Sequence, residues 1–423
     1  MRTVPLQRRC DGRTRGVLRY PPVVLGLDEA RALLAREVAP LAGVEVALAE
    51  GLGRRLVAAP VADADLPPSD LSAMDGYAVR ATDLGGPPLP VAFVVPAGGA
   101  PEQLPRGAAA RIFTGAVVPA GADTVVPQED AEVGADGTVR LASLPMGTNV
   151  RRQGEVFAAG AALVRPGERL TAAGVAALAA GGAARLTVIP RPRVAVLVTG
   201  AELVGVAAVP RKGQVRDSNG PMLEALAGES GLAVVGAERV ADDLPTLRDR
   251  LAAAARNADL VVSSGGVSVG DFDLVPRAVA ELGGETVLHR VAIQPGKPIL
   301  IAKLGNAWVT GLPGNPLSVL VGWRMFARPL AEALAGDPAA FAEMPLRVPL
   351  AGPARNRGAR TQLRPARLES SGGVLAARVL AWKGSHDILA ATPADALVRL
   401  DPGAECAAGD TVHAFPLPWR WTG

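Results

Sequence analysis

Three short stretches of this chain are rich in glycine and hydroxyl residues, the types that bind oxyanions. They are Thr199-Gly200-Ala201-Glu202, the run from Ser263 and Ser264 through Gly265, Gly266, Val267, Ser268, Val269 and Gly270 to Asp271, and Gly311-Leu312-Pro313-Gly314-Asn315-Pro316. Glycine lets backbone N–H groups approach an anion closely, and a helix starting just after the loop adds roughly half a positive charge. Tight strand-to-helix turns also use glycine for steric reasons alone, which would explain any single loop. Three in one segment predict a phosphate or oxyanion site. Carboxylates fall along the same edge: Glu202, Asp242, Asp243, Asp271 and Asp273. An anion site needs acids only where a cation bridges them, and oxygen ligands beside phosphate suggest Mg2+. Helix capping is the competing account of Asp242, Asp243 and Asp273, each of which precedes an apolar helix.

Other chemistries lack their residues. His289, His386 and His413 are scattered, against a zinc site of His and Cys. There is no GxxxxGK[ST] loop and no GxGxxG fingerprint. Basic residues are almost all arginine; Lys212, Lys297, Lys303 and Lys383 are the lysines, so a lysine here is informative. Lys297 sits in the turn Pro295-Gly296-Lys297-Pro298, which is expected to aim it away from Gln294.

The elements that position these residues follow from periodicity. A helix is predicted over 28–38, with Asp28 as cap and Ala30, Leu33, Leu34 and Val38 on one face. Between 44 and 149, short apolar runs (91–96, 124–127, 139–141) alternate with Gly/Pro turns and predict a β-rich region. Helical spacing returns over 170–180. After Arg193, strands (194–198, 233–240, 260–263) alternate with helices (221–230 capped by Asn219, 245–255, 274–282). Strands over 286–293, 299–303 and 308–310 then lead to a long helix over 316–334. This predicts a mostly parallel sheet with helices on both faces, whose ligands bind outside the carboxyl ends of the strands. Runs over 346–350, 374–380 and 396–400 predict a terminal β-barrel or sandwich.

Composition bounds the rest. The 423 residues are 49% hydrophobic, enough for two to four domains at roughly 100–200 residues each. A net charge of +3 implies no general nucleic-acid or membrane partner. Cys10 and Cys406 provide no disulfide framework, which fits a reducing cytoplasm. No stretch offers the ~20 apolar residues of a membrane helix. Residues 1–20 hold six arginines and one acid without an apolar face, which reads as a disordered leader rather than a targeting peptide.

Six blocks resemble one family. The segment from Leu66-Pro67-Pro68-Ser69-Asp70 through Met74-Asp75-Gly76-Tyr77 is similar to the signature of the molybdopterin molybdenumtransferases, the family of bacterial MoeA and the E domain of gephyrin. So are Arg111-Ile112-Phe113-Thr114-Gly115-Ala116 with residues 119–126, and Asn149-Val150-Arg151-Arg152-Gln153-Gly154-Glu155. The glycine loop at 264–270 with Asp273, the turn at 295–298 and the loop at 311–316 complete the set, in the family's order.

The resemblance implies an α/β plus β protein of four domains in an elongated arrangement. These are a discontinuous linker and dimerisation domain (22–43 and 150–192) after a leader (1–21), a β-rich inserted domain (44–149), a doubly wound molybdopterin-binding α/β domain (193–338) and a C-terminal β-barrel (339–423). It implies a homodimer using Mg2+ that takes adenylylated molybdopterin and molybdate and releases AMP and molybdenum cofactor, with the pathway's adenylyltransferase as a candidate partner. Catalytic roles carry over to Asp75, Thr114, Glu202, Asp242 and Asp273, the last three also as metal ligands. Substrate-binding roles carry over to Arg152, to Ser264, Gly265, Gly266, Ser268 and Gly270, and to Arg290, Gln294 and Lys297. They extend to Pro313, Gly314, Asn315 and Pro316, and to Ser385 beside His386. Three positions depart from the family pattern: Ala201 stands where an acid is usual, and Arg290 and Gln294 stand where lysines are common. The alternatives are a molybdopterin adenylyltransferase, against which the β-rich region at 44–149 argues, and a non-catalytic scaffold.

Overall fold

The structure is a computed structural model that describes residues 24–267, 274–342, 345–371 and 373–417. The expected leader lies outside these residues, as do Ser268, Gly270, Asp271 and Asp273. The chain forms two compact units, 1–42 with 190–423, and 43–189.

In the first unit, helix α1 (Leu27–Glu37) buries Leu27, Ala30 and Leu34 in the same core as the α/β sheet, although the sequence reading groups 22–43 with 150–192. Its N-cap is Gly26, whose N–H donates to Glu29 Oε2 at 2.9 Å. Asp28 is therefore not the cap. It lies within the first turn and pairs both oxygens with Arg399 at 2.8 and 2.9 Å.

The α/β elements run β1 (Arg193–Thr199), α2 (Asn219–Glu229), β2 (Ala233–Val240), α3 (Leu244–Asn257), β3 (Leu260–Ser264), α4 (Leu274–Glu281), β4 (Glu285–His289), β5 (Leu300–Leu304) and β6 (Ala307–Leu312). The sheet order is β2-β1-β3-β6-β5-β4. The first four strands are parallel, and β5 is antiparallel to both its neighbours. Chain order runs from β1 outward to β2 on one side and to β3 on the other, so the winding reverses between β1 and β3, as a doubly wound sheet requires. Strand runs such as Val194–Val198 are buried throughout because both faces are covered. One core holds α1 and α2; the other holds Leu247, Leu251 and Val275 from α3 and α4. The outermost strand β2 has seven of eight residues exposed, and its pairing with β1 slips by one residue at Val235.

Three sequence expectations change here. The strand expected over 286–293 ends at His289, because Arg290 adopts φ +70°; Ile293–Gln294 then pairs with Thr361–Ser371 instead. Asn219 does not cap α2 but begins it; Asp217 Oδ1 accepts from the N–H groups of Asn219 and Gly220 at 3.0 and 2.9 Å. The long helix is three joined pieces, α5 (Pro316–Gly322), a π-helical turn (Trp323–Ala327) and α6 (Arg328–Leu334).

The C-terminal strands order as Ile293–Gln294, Thr361–Ser371, Ala396–Leu400, Thr411–Pro416 and Leu346–Pro349, with Val374–Val379 added beside Thr361–Ser371. The strands at 361–371 and 411–416 were not predicted. Buried Arg324 joins this sheet to the π turn by donating Nε to the Pro416 carbonyl at 2.7 Å.

The second unit holds a six-stranded sheet ordered Thr124–Pro127, Gly76–Val79, Ala109–Ile112, Leu89–Val95, Thr138–Leu141, Ala131–Val133, the β-rich region expected. Val44–Ala47 pairs antiparallel with Arg185–Val188. Beside this pair, the helix Ala172–Ala180 is capped by Thr171, whose side chain accepts from Gly174 N–H at 3.1 Å.

Candidate functional site

Four adjacent parallel strands deliver their carboxyl ends to one cavity of about 540 Å³. After β2 comes Asp242. After β1 come Gly200 and Glu202. After β3 come Gly265 and Gly266, and after β6 come Pro313, Gly314 and Asn315. The cavity thus sits over the β1/β3 reversal, where such sheets bind ligands.

The loops interlock. Gly265 has φ +93°, and a Cβ there would lie 2.1 Å from the Thr199 carbonyl oxygen, so only glycine lets the two loops touch. Gly265 N–H donates to the Leu312 carbonyl at 3.0 Å. Asn219, 6% exposed, donates from Nδ2 to Ser264 Oγ at 2.9 Å and to the Gly314 carbonyl at 2.7 Å. Ser264 Oγ bonds the Pro313 carbonyl at 3.3 Å. Beneath, burial first and then neighbouring Arg290 hold the His289 imidazole below its usual range, against a bond to the Val267 backbone.

The lining carries both signs of charge. Glu202 and Asp242 supply the acids, and Asp242 Oδ1 accepts from Thr199 Oγ1 at 2.9 Å. Asp243 instead caps α3, accepting from Thr246 N–H at 2.9 Å; capping explains it and not its neighbour. Among the described residues no three His, Cys, Asp or Glu come together as a metal site. Two carboxylates lining this cavity still match what Mg2+ takes from a protein, one or two carboxylates beside substrate phosphates. Gln294, Lys297, Arg360 and Ser385 line the same cavity. Ser385 Oγ accepts from Asn315 Nδ2 at 2.9 Å, and Arg360 Nη1 donates to the Ile293 carbonyl at 3.2 Å. The turn at 295–296 therefore does not take Lys297 away; Gln294 and Lys297 line the same space.

Comparison with known proteins gives this arrangement its family. Residues 25–182 match the MoeA N-terminal region (domain I and II), residues 195–333 a probable molybdopterin binding domain, and residues 347–417 the MoeA C-terminal region (domain IV). Molybdopterin molybdenumtransferase 2 of Mycobacterium tuberculosis is 35% identical over 92% of this chain and 99% of its own length. The chain belongs to the molybdopterin molybdenumtransferase family. These are enzymes of molybdenum cofactor biosynthesis. The Nostoc molybdopterin molybdenumtransferase is 40% identical over 67% of each chain. The crystal structure of a molybdopterin biosynthesis MoeA protein from Pyrococcus horikoshii superposes with a TM-score of 0.78 at 32% identity, covering 93% of this chain and 99% of that one.

Against the molybdenumtransferase pattern, the structure gathers Glu202, Asp242, Ser264, Gly265, Gly266, Gln294, Lys297, Pro313, Gly314, Asn315 and Ser385 around one cavity. Arg290 and Pro316 are not among its lining; Pro316 opens α5. Asp75, Thr114 and Arg152 belong to the other unit. There the Thr114 N–H (2.7 Å) and hydroxyl (2.8 Å) both donate to Asp75 Oδ1 and hold its carboxyl below the usual carboxylate range. Arg152 pairs with Asp70 at 2.6 Å. Sequence reasoning missed Arg360 and Trp382, placed Thr199 only within a loop and read Asn219 only as a cap. Asn219 had a signal: Asp217 two residues earlier is itself a strong capping residue, leaving the asparagine amide for another task.

Proposed function

We propose that this enzyme transfers molybdenum from molybdate into adenylylated molybdopterin, releasing AMP and the molybdenum cofactor. The observation that carries the reading is the cavity over the strand reversal, whose lining combines the acids Glu202 and Asp242 with Lys297, Arg360 and Ser385. A substrate with both a phosphate link and an oxyanion acceptor matches a lining of both charges. Breaking the adenylyl link puts charge on the phosphate oxygens, and preorganised donors lower that cost. The glycine loop at 264–266, where no side chain blocks close approach, suits this task. Lys297 and Arg360 attract and orient molybdate, with Gln294 and Ser385 as neutral hydrogen-bond partners. Thr199 holds the Asp242 carboxylate in place. Mg2+, when bound by Glu202 and Asp242 with Asp273 as a third ligand, would neutralise phosphate charge.

The remaining assignments extend this reading. The four-domain division, action in the cytoplasm, substrate-binding roles for Arg152, Arg290 and Pro316, and catalytic roles for Asp75 and Thr114 are part of the proposal. So is a homodimer in which each cleft is completed by a second copy. Mixing Asp75→Ala with Asp242→Ala protein should then restore activity that neither has alone; inactive mixtures of folded variants would refute the shared cleft. No helix of the described residues is long and apolar enough to cross a membrane. The main test is AMP release from adenylylated molybdopterin by purified protein. Release that depends on molybdate supports the reading. Formation of the adenylylated substrate from ATP, with no AMP release, would replace it with the adenylyltransferase alternative.

A further inference from the structure

Trp382 is the one aromatic side chain that lines the cavity among the described residues. The Arg364 guanidinium lies over its ring, with Cζ 4.8 Å from the centroid. Arg364 is not part of the cavity wall. It donates Nη2 to the Leu380 carbonyl at 3.1 Å, and its buried Nε has no hydrogen-bond partner. The cation therefore backs the indole from the protein side, while the ring also borders the cavity. An indole that only filled a core would be enclosed, as Trp323 is at 0% exposure; Trp382 is only partly buried against that core. The other lining residues are glycine, proline, hydroxyl, amide and charged residues with Leu203 and Val267, none of them aromatic. Stacked between a fixed cation and an open cavity, the ring is preorganised as a flat apolar surface beside polar groups.

We propose that Trp382 is the stacking platform for a planar nitrogen heterocycle of the substrate, held in place from behind by Arg364. The inference rests on reading the cavity as the molybdopterin site. The heterocycle has two possible sources, the pterin and the adenine of the adenylyl group, and the chemistry of recognition is the same for both.

Isothermal titration of the full-length protein with AMP, 6-hydroxymethylpterin and ribose 5-phosphate tests it. Trp382→Ala should weaken one heterocycle by about 5- to 150-fold, the range for base–aromatic stacking. Trp382→Phe should keep most of the affinity, and ribose 5-phosphate should bind both variants as it binds the parent. Loss confined to AMP assigns the adenine; loss confined to the pterin assigns the pterin. If alanine lowers the melting temperature enough to unfold the protein, Trp382→Leu replaces it, keeping apolar volume without a π face. Unchanged affinity for both heterocycles, or an equal loss for ribose 5-phosphate, overturns the stacking role while leaving the cavity assignment intact. A parent protein that binds neither heterocycle overturns the cavity assignment, and the stacking role with it.

Discussion

Replacing Asn219 with Asp changes one NH2 to an oxygen at the junction of two cavity loops. In the parent, that NH2 donates to Ser264 Oγ at 2.9 Å and to the Gly314 carbonyl at 2.7 Å. A carboxylate oxygen in its place would face a carbonyl oxygen at hydrogen-bond distance with no proton between them. Two hydrogen bonds worth about 1 kcal/mol each disappear. An ionised carboxyl in a side chain this buried adds a further cost, for a total of about 3–5 kcal/mol at neutral pH. The cost depends on pH. Burial raises the folded-state pKa of the new Asp above its unfolded value near ~3.9. The folded state then binds more protons than the unfolded one, so stability relative to Asn is greatest below about pH 4 and declines as pH rises toward the folded pKa. In acid, the protonated carboxyl can donate to the Gly314 carbonyl again. Asn219→Ala behaves differently. It loses the same two bonds but also removes Oδ1, a buried acceptor with no partner, whose desolvation costs about 1–3 kcal/mol. Because it also strands the Gly314 carbonyl and empties the amide's volume, a loss of about 1–3 kcal/mol should remain, independent of pH. Urea unfolding of all three proteins at acid and neutral pH provides the test. An Asp variant as stable as the Ala variant at neutral pH, or a deficit that does not change with pH, would refute the orientation of the amide.

Three further outcomes are expected. Gln294→Lys should tighten molybdate binding by less than about fivefold, because Lys297 and Arg360 already line the same cavity and the added ammonium must be desolvated; a larger gain by calorimetry would mean those cations do not face the oxyanion. Gly265→Ala should destabilise by about 3 kcal/mol or more, since its Cβ would meet the Thr199 carbonyl at 2.1 Å, whereas Gly314→Ala, with nothing within 4 Å, should be tolerated; equal unfolding midpoints would refute the contact. The Arg399 bond holds the Asp28 carboxyl below its usual 3.8, so its contribution is present above that pH and lost as pH falls through the lower folded value. Asp28→Asn should therefore lower stability near neutrality and converge with the parent in acid, as chemical denaturation across pH would report.

The sequence made the parts of this site that rest on backbone chemistry legible, because glycine and proline mark where the chain must turn or approach closely. The loops at 199–202, 264–267 and 311–316 could be read that way, and alternating strands and helices placed them on one sheet edge. Side chains brought in from far along the chain left no such trace. Arg360 and Trp382 reach the cavity through the pairing of Ile293–Gln294 with Thr361–Ser371, and that pairing exists because Arg290 takes a left-handed conformation rare for arginine. The strand at 361–371 was hidden by Pro365 and its arginines, which break the apolar alternation. The π turn at 323–327 lies inside a continuous helical stretch, and periodicity does not distinguish one extra residue per turn.

The edge strand β2 bears on how the protein behaves in crowded solution. A sheet that stops at a strand as open as this one offers a row of free N–H and C=O groups to any stray extended chain, and Val234 and Val235, 37% and 46% exposed, would add stickiness to that row. The slip at Val235 interrupts the ladder partway along, so a newcomer cannot register with its whole length. Glu238 and Arg239, exposed farther along, make the remaining half unwelcoming to apolar strands. A local irregularity thus works against strand addition, letting the sheet keep an open margin beside the loops that line the cavity.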